Sequence, residues 1–85
     1  MLSRADILKR SGLPNRDAFE TEPHRDDFGI LRIKFSYPGD PAQLFSLGSA
    51  SRLADEIRGV DRRFAERIDT CVEQARREAA AGRVE

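Results

Sequence analysis

Residues 50–79 read ASRLADEIRGVDRRFAERIDTCVEQARREA, and the division of this stretch into helices decides the fold. Turned by about 100° per residue, Leu53, Ile57, Val60, Phe64, Ile68, Cys71, Val72 and Ala75 fall within roughly 140° of arc. This apolar stripe keeps one phase across Gly59, which lies on the opposite side of the wheel. A helix running through Gly59 would span about 30 residues, near 45 Å, on a domain only about 25–30 Å across. Such a rod needs a partner. Exposing glycine in mid-helix costs about 1 kcal/mol against alanine, which a long helix tolerates. The competing division is a break, because Gly59-Val60-Asp61 also reads as a C-cap followed by an N-cap, and Asp61 falls at the edge of the apolar arc. The shared phase favours one long C-terminal amphipathic helix, continuous or kinked at Gly59, over two helices. Its apolar repeat, near 3.7 residues per turn, does not specify a left-handed heptad coil.

Working back along the chain, Phe28 to Tyr37 alternates Leu31, Ile33, Phe35 and Tyr37 with Arg32, Lys34 and Ser36, which predicts a strand with one face on the core. Tyr37-Pro38-Gly39-Asp40 matches a type II turn, with proline setting φ at the second position and glycine accepting φ > 0 at the third. Residues 41–48 admit two readings. Asp40 and Pro41 could open a helix, but Leu44 and Phe45 are out of phase with the later stripe, so a returning strand from Gln43 to Leu47 is preferred. Gly48-Ser49-Ala50-Ser51 then supplies the N-cap of the long helix. Near the start, Ser3 and Asp6 approximate a capping box and Gly12 precedes Leu13-Pro14 as a stop, predicting a helix from Arg4 to Ser11.

Between these elements the charge changes sign. Residues 1–16 carry a net +3 in side chains (Arg4, Lys9, Arg10 and Arg16 against Asp6). Residues 17–27 carry −4 (Asp17, Glu20, Glu22, Asp26 and Asp27 against Arg25). Residues 15–27 hold little apolar material beyond Ala18 and Phe19, and read as a loop anchored by Phe19. The whole predicts a single small α+β domain over residues 1–85, with a short N-terminal helix, a two-stranded antiparallel β-hairpin and the long C-terminal helix.

The 85 residues contain 15 cationic and 15 anionic side chains, so no global field draws the chain to nucleic acid, anionic membrane or an acidic partner. A chain this short buries only about 60–65% of its unfolded surface, and burial shared with a second copy would add stability. Cys71 is the lone cysteine and sits on the apolar stripe, which fits a buried thiol in a reducing compartment. Neither a signal peptide nor a membrane-spanning run is recognisable, so the expected location is cytoplasmic. Arginine outnumbers lysine 13 to 2, a bias common in GC-rich bacterial genes.

No convergent catalytic set or cofactor motif is evident, so the leading expectation is a non-catalytic interaction or regulatory module, without cofactor or metal. It would form a homodimer, or dock a partner protein, through Phe64, Ile68, Val72 and Ala75 of the C-terminal helix. The alternative is a winged-helix-like DNA-binding regulator. In that reading Asp6 to Pro14 resembles the first helix and turn of a helix-turn-helix, Lys9, Arg10 and Arg16 contact phosphates, and Arg32 and Lys34 lie on the wing. Against it, the would-be recognition helix carries Asp17, Glu20 and Glu22 and would be repelled by phosphate. A remote third reading is a small metal-dependent enzyme using His24 with Asp26 or Asp27, for which further ligands are missing.

Overall fold

The computed structural model describes residues 3–10 and 19–83. Its elements run α1 (Arg4–Arg10), β1 (Glu20–Arg25), β2 (Leu31–Tyr37), β3 (Asp40–Phe45), α2 (Leu47–Ile57) and α3 (Arg62–Arg83). The class is α+β, with an antiparallel sheet in the order β1-β2-β3.

The stripe is two helices. α2 ends at Arg58, and the N–H groups of Val60 and Asp61 both reach back to the carbonyl of Ile57, at 2.8 and 2.7 Å. Asp61 then caps α3. Its carboxylate accepts from the Phe64 N–H at 3.2 Å and its carbonyl from the Ala65 N–H at 3.1 Å, with the residue only 6% exposed. Val60, the middle member of the stripe, is 68% exposed, which a continuous apolar face would not permit. Gly59 does not take a left-handed φ, so the break depends on the cap at Asp61 rather than on glycine's freedom. The common phase has a plain cause. With a four-residue connection, α2 folds back beside α3 and both lay their apolar faces into one core, tied outside by the Arg58–Asp69 ion pair.

Ala50, Leu53, Ala54 and Ile57 of α2 meet Phe64, Ala65, Ile68, Val72 and Ala75 of α3 and Ile33 and Phe35 of β2 in that core. Phe19 closes one end, stacked on Phe64 with ring centroids 5.1 Å apart and tilted against Tyr37 at 4.5 Å. Ile7 adds the contribution of α1, whose capping box forms as expected: the Asp6 N–H donates to Ser3 Oγ at 3.2 Å and the Ser3 N–H to Asp6 Oδ2 at 3.1 Å. The helix runs to Arg10, and the expected stop at Gly12 lies outside the described residues.

The sheet has one strand more than expected. Glu20 to Arg25, read as loop, pairs antiparallel with β2 over its whole length, from Glu20 opposite Ser36 to Arg25 opposite Leu31. The returning strand is Asp40–Phe45 rather than Gln43–Leu47, because the turn at Pro38-Gly39 is tight, with Gly39 at φ +88°, and pairing starts at once with Tyr37 opposite Asp40. A bulge follows in β3 where Pro41 cannot donate, and regular pairing resumes at Gln43 opposite Phe35. The helix cap also moves one turn earlier. Ser46 Oγ accepts from the Ser49 N–H at 3.1 Å, so Gly48 and Ser49 lie in the first turn of α2.

Candidate functional site

The four residues expected at a partner contact are core residues. Phe64, Ile68, Val72 and Ala75 are between 0 and 3% exposed and pack within the chain itself. Once α2 folds back on α3, the stripe is covered from inside except at Val60 in the connection. The exposed side of α3 is polar, and it borders a groove.

β1 positions that groove. In an antiparallel ladder, alternate residues turn their backbone groups toward the neighbouring strand and the rest turn away. The Asp26 N–H donates to the Ile30 carbonyl at 3.0 Å, in the same register as Glu20/Ser36, Glu22/Lys34 and His24/Arg32. Those positions therefore face β2, and the backbone of Phe19, Thr21, Pro23 and Arg25 faces the free edge. Arg67 confirms the direction by donating from Nη2 to the Phe19 carbonyl at 2.6 Å. Pro23 sits where its missing N–H would have pointed outward, so the edge lacks its central donor and resists uncontrolled strand addition.

Beside this edge runs α3, in the same direction as β1. Phe19 is tied to Arg67, and Thr21 and Cys71 line the same stretch between strand and helix, so one turn of helix, about 6 Å, keeps step with two residues of strand. Between the two elements lies a groove of about 940 Å³. Thr21, Pro23, Thr70 and Cys71 line its middle, Arg63 and Arg67 stand at the end nearer the start of α3, and Glu78 stands at the other. The Arg67 guanidinium also lies over the Phe64 ring, 5.7 Å from its centroid, so its place is held by two contacts. Arg63 is exposed and has no ion-pair partner among the described residues. Burial pushes the Cys71 thiol above its ordinary pKa, against the opposing effect of Thr21, and leaves it a poor nucleophile.

The tip joining β1 to β2 is rigidly built. The Asp26 carbonyl accepts from the Gly29 N–H at 3.0 Å and Gly29 takes φ +79°, the three-residue hairpin loop in which the last residue must be left-handed. The Asp26 carboxylate accepts three more bonds, from the N–H groups of Phe28 and Ile30 at 2.9 Å each and from Arg32 Nε at 2.7 Å. Those bonds hold its pKa below the ordinary value, Arg32 contributing most. Arg25 completes the tip by donating to the Gly29 carbonyl at 2.9 Å. All this ordering presents Phe28 to water at 87% exposure, with Ile30 at 53%.

Among the described residues the expected phosphate contacts are not brought together. Arg10 is ion-paired to Asp40 at 2.6 Å and lies over the Tyr37 ring at 4.7 Å. Arg32 is held by Asp26, and Lys34 lies 3.8 Å from Glu22 on the outer sheet face. Lys9 is exposed on α1, and Arg16 lies outside the described residues. Glu20 and Glu22, assigned above to a recognition helix, belong to β1, so that helix does not extend over them as a helix-turn-helix requires. His24 sits on the outer face of the sheet, opposite Arg32, while the Asp26 carboxylate is committed to the turn. Among the described residues no group of three or more His, Cys, Asp or Glu side chains could hold a metal ion, and no helix is long and apolar enough to cross a membrane.

Compared with family models, curated proteins and solved structures, the chain matches none.

Proposed function

We propose that this chain is a small non-catalytic interaction module whose partner docks in the groove between β1 and α3. The expected use of the C-terminal helix is kept, but on its polar side, since its apolar side closes the core. The observation that carries the reading is the groove itself: a free strand edge, a helix alongside it, and a lining that carries charge of both signs, Arg63 and Arg67 with Glu66 between them at one end and Glu78 at the other. That arrangement suits an extended or turn-forming segment of another protein, which can meet the Thr21 backbone with its own and place its charges along the groove axis. Catalysis is not supported, because the thiol is buried with its pKa raised and the one histidine lies on the other sheet face.

Selection from a displayed peptide library against the immobilised protein tests the reading. Enriched peptides, added to labelled protein, should shift the amide resonances of residues 21, 22 and 63–78. Replacing Thr70, which lines the groove and is exposed, with Trp should block them while leaving the unfolding transition in place. Failure to enrich any peptide, or shifts confined to the outer sheet face, would overturn it.

A further inference from the structure

We infer that the groove's occupant is the Asp27-Phe28 turn of a second copy of this chain, in a two-fold symmetric dimer. The inference rests on the groove being a docking site and adds what fills it. Three observations lead to it. The hydrogen bonds of the tip order the backbone around Phe28 without burying its ring, so the fold spends Asp26 and Gly29 on presenting an aromatic side chain. A large exposed aromatic on a preorganised turn has the character of an interface anchor. Next, charges complement. Asp27 is exposed with no ion-pair partner among the described residues, and Arg63, at one end of the groove, is in the same state, while the carboxylate that shares that end, Glu66, is engaged by Arg62 at 3.5 Å.

The geometry then selects a second copy. Because β1 and α3 run in the same direction, each chain's tip lies at the Glu78 end of its own groove and away from Arg63. A two-fold axis near Pro23 sets two β1 edges antiparallel and carries the tip of one chain to the Arg63 end of the other. In that alignment Asp27 falls opposite Phe19 of the second copy, the residue whose carbonyl Arg67 holds. Asp26, the last residue in ladder register, lies about 10 Å from Pro23 along the strand, and the turn beyond it carries Asp27 and Phe28 out to about the 13 Å at which Phe19 lies the other way, so tip and groove end are spaced to exchange. Both copies then make the same contact, as a closed two-fold interface requires. The proline at the axis denies the central ladder bonds, leaving the docked turns and the flanking Thr21 and Arg25 backbones to hold the pair.

Sedimentation equilibrium of the full chain, from about 10 μM to about 1 mM, reads the assembly directly. The expected result is a monomer–dimer equilibrium. Phe28→Ser should weaken it by about tenfold or more while leaving circular dichroism and thermal unfolding in place, since the ring is exposed in the monomer. Arg63→Glu should weaken it too, and Asp27→Arg added to Arg63→Glu should restore it. A photo-crosslinking phenylalanine at position 28 should join to the 63–78 region of another chain. A monomer throughout the range, an unaffected Phe28→Ser dimer, or crosslinks from position 28 to position 28 would each overturn the inference. If the chain is monomeric and selected peptides still fill the groove, docking in the groove stands and only its occupant is wrong.

Discussion

Replacing Asp61 with alanine distinguishes the two-helix fold from a continuous rod by the sign of its effect. In the structure the Asp61 carboxylate is the side-chain cap of α3, bound to the Phe64 N–H at 3.2 Å in a site 6% exposed. Losing a cap of this kind costs between about 0.5 and 2 kcal/mol. The bond is at the long end of the normal range, which argues for the lower half, about 1 kcal/mol. The carboxylate also faces the positive end of a 22-residue helix, a further contribution of about 0.3–1 kcal/mol that burial protects from salt. Asp61→Ala should therefore lose about 1–2 kcal/mol, lowering the Tm by roughly 5–15 °C in a chain of this size. Asp61→Asn, which keeps an acceptor, should lose less. In a continuous helix the same alanine would be a better helix former than aspartate and would gain up to about 0.7 kcal/mol. Urea unfolding followed by circular dichroism reads the difference, and unchanged or increased stability for Asp61→Ala would refute the cap. Gly59→Ala is the control. The added Cβ meets no atom within 4 Å and φ is not left-handed, so it should be neutral or stabilising by under about 1 kcal/mol.

Three further outcomes follow from burial and charge. Ile68→Ala, at a fully buried position, should cost about 2–5 kcal/mol in urea unfolding, and Ile68→Glu should leave the chain unfolded at neutral pH, whereas a partner-contact residue would be tolerated by the monomer. The Asp26 pKa is depressed in the folded state, so its contribution to stability is complete above the unfolded carboxylate value near 3.8 and is lost as pH falls through the lower folded value. The protection factors of the Phe28 and Ile30 amides, corrected for the intrinsic pH dependence of exchange, should accordingly be high at pH 5–7 and fall only below 3.8, and Asp26→Ala should lower them throughout. Cys71 should react slowly with a disulfide reagent at pH 8 in the folded protein and rapidly in denaturant, because burial both covers the thiol and raises its pKa.

What could be read from the sequence was whatever local chemistry alone determines. The capping box at Ser3 and Asp6, the alternation through β2 and the Pro38-Gly39 turn each depend on neighbours within a few residues, and each appears as expected, save that the strand begins at Leu31 rather than Phe28, which belongs to the turn. The division of the apolar stripe was not legible in the same way. Phase alone cannot separate a rod from a hairpin whose two helices face one core, and the deciding fact, the exposure of Val60, is a tertiary one. The cap at Ser46 was hidden because the small residues after it suit the first turn of a helix as well as its boundary.

β1 is the instructive omission. Its inward positions are Thr21, Pro23 and Arg25, none of which gives the apolar half of a strand pattern, so periodicity reads loop. Its existence depends on the ladder to β2 and on the turn that Asp26 holds, and the one local signal was Asp26 followed by Gly29 at hairpin spacing. The same composition is what keeps the groove available. An inward row of large apolar residues would draw α3 against the sheet edge and close the space, whereas Thr21 and Pro23 leave it with a volume of about 940 Å³ and Pro23 limits strand addition along it. A strand that borders an open groove thus loses the pattern by which strands are recognised. In this chain the unreadable segment and the candidate site coincide for that reason.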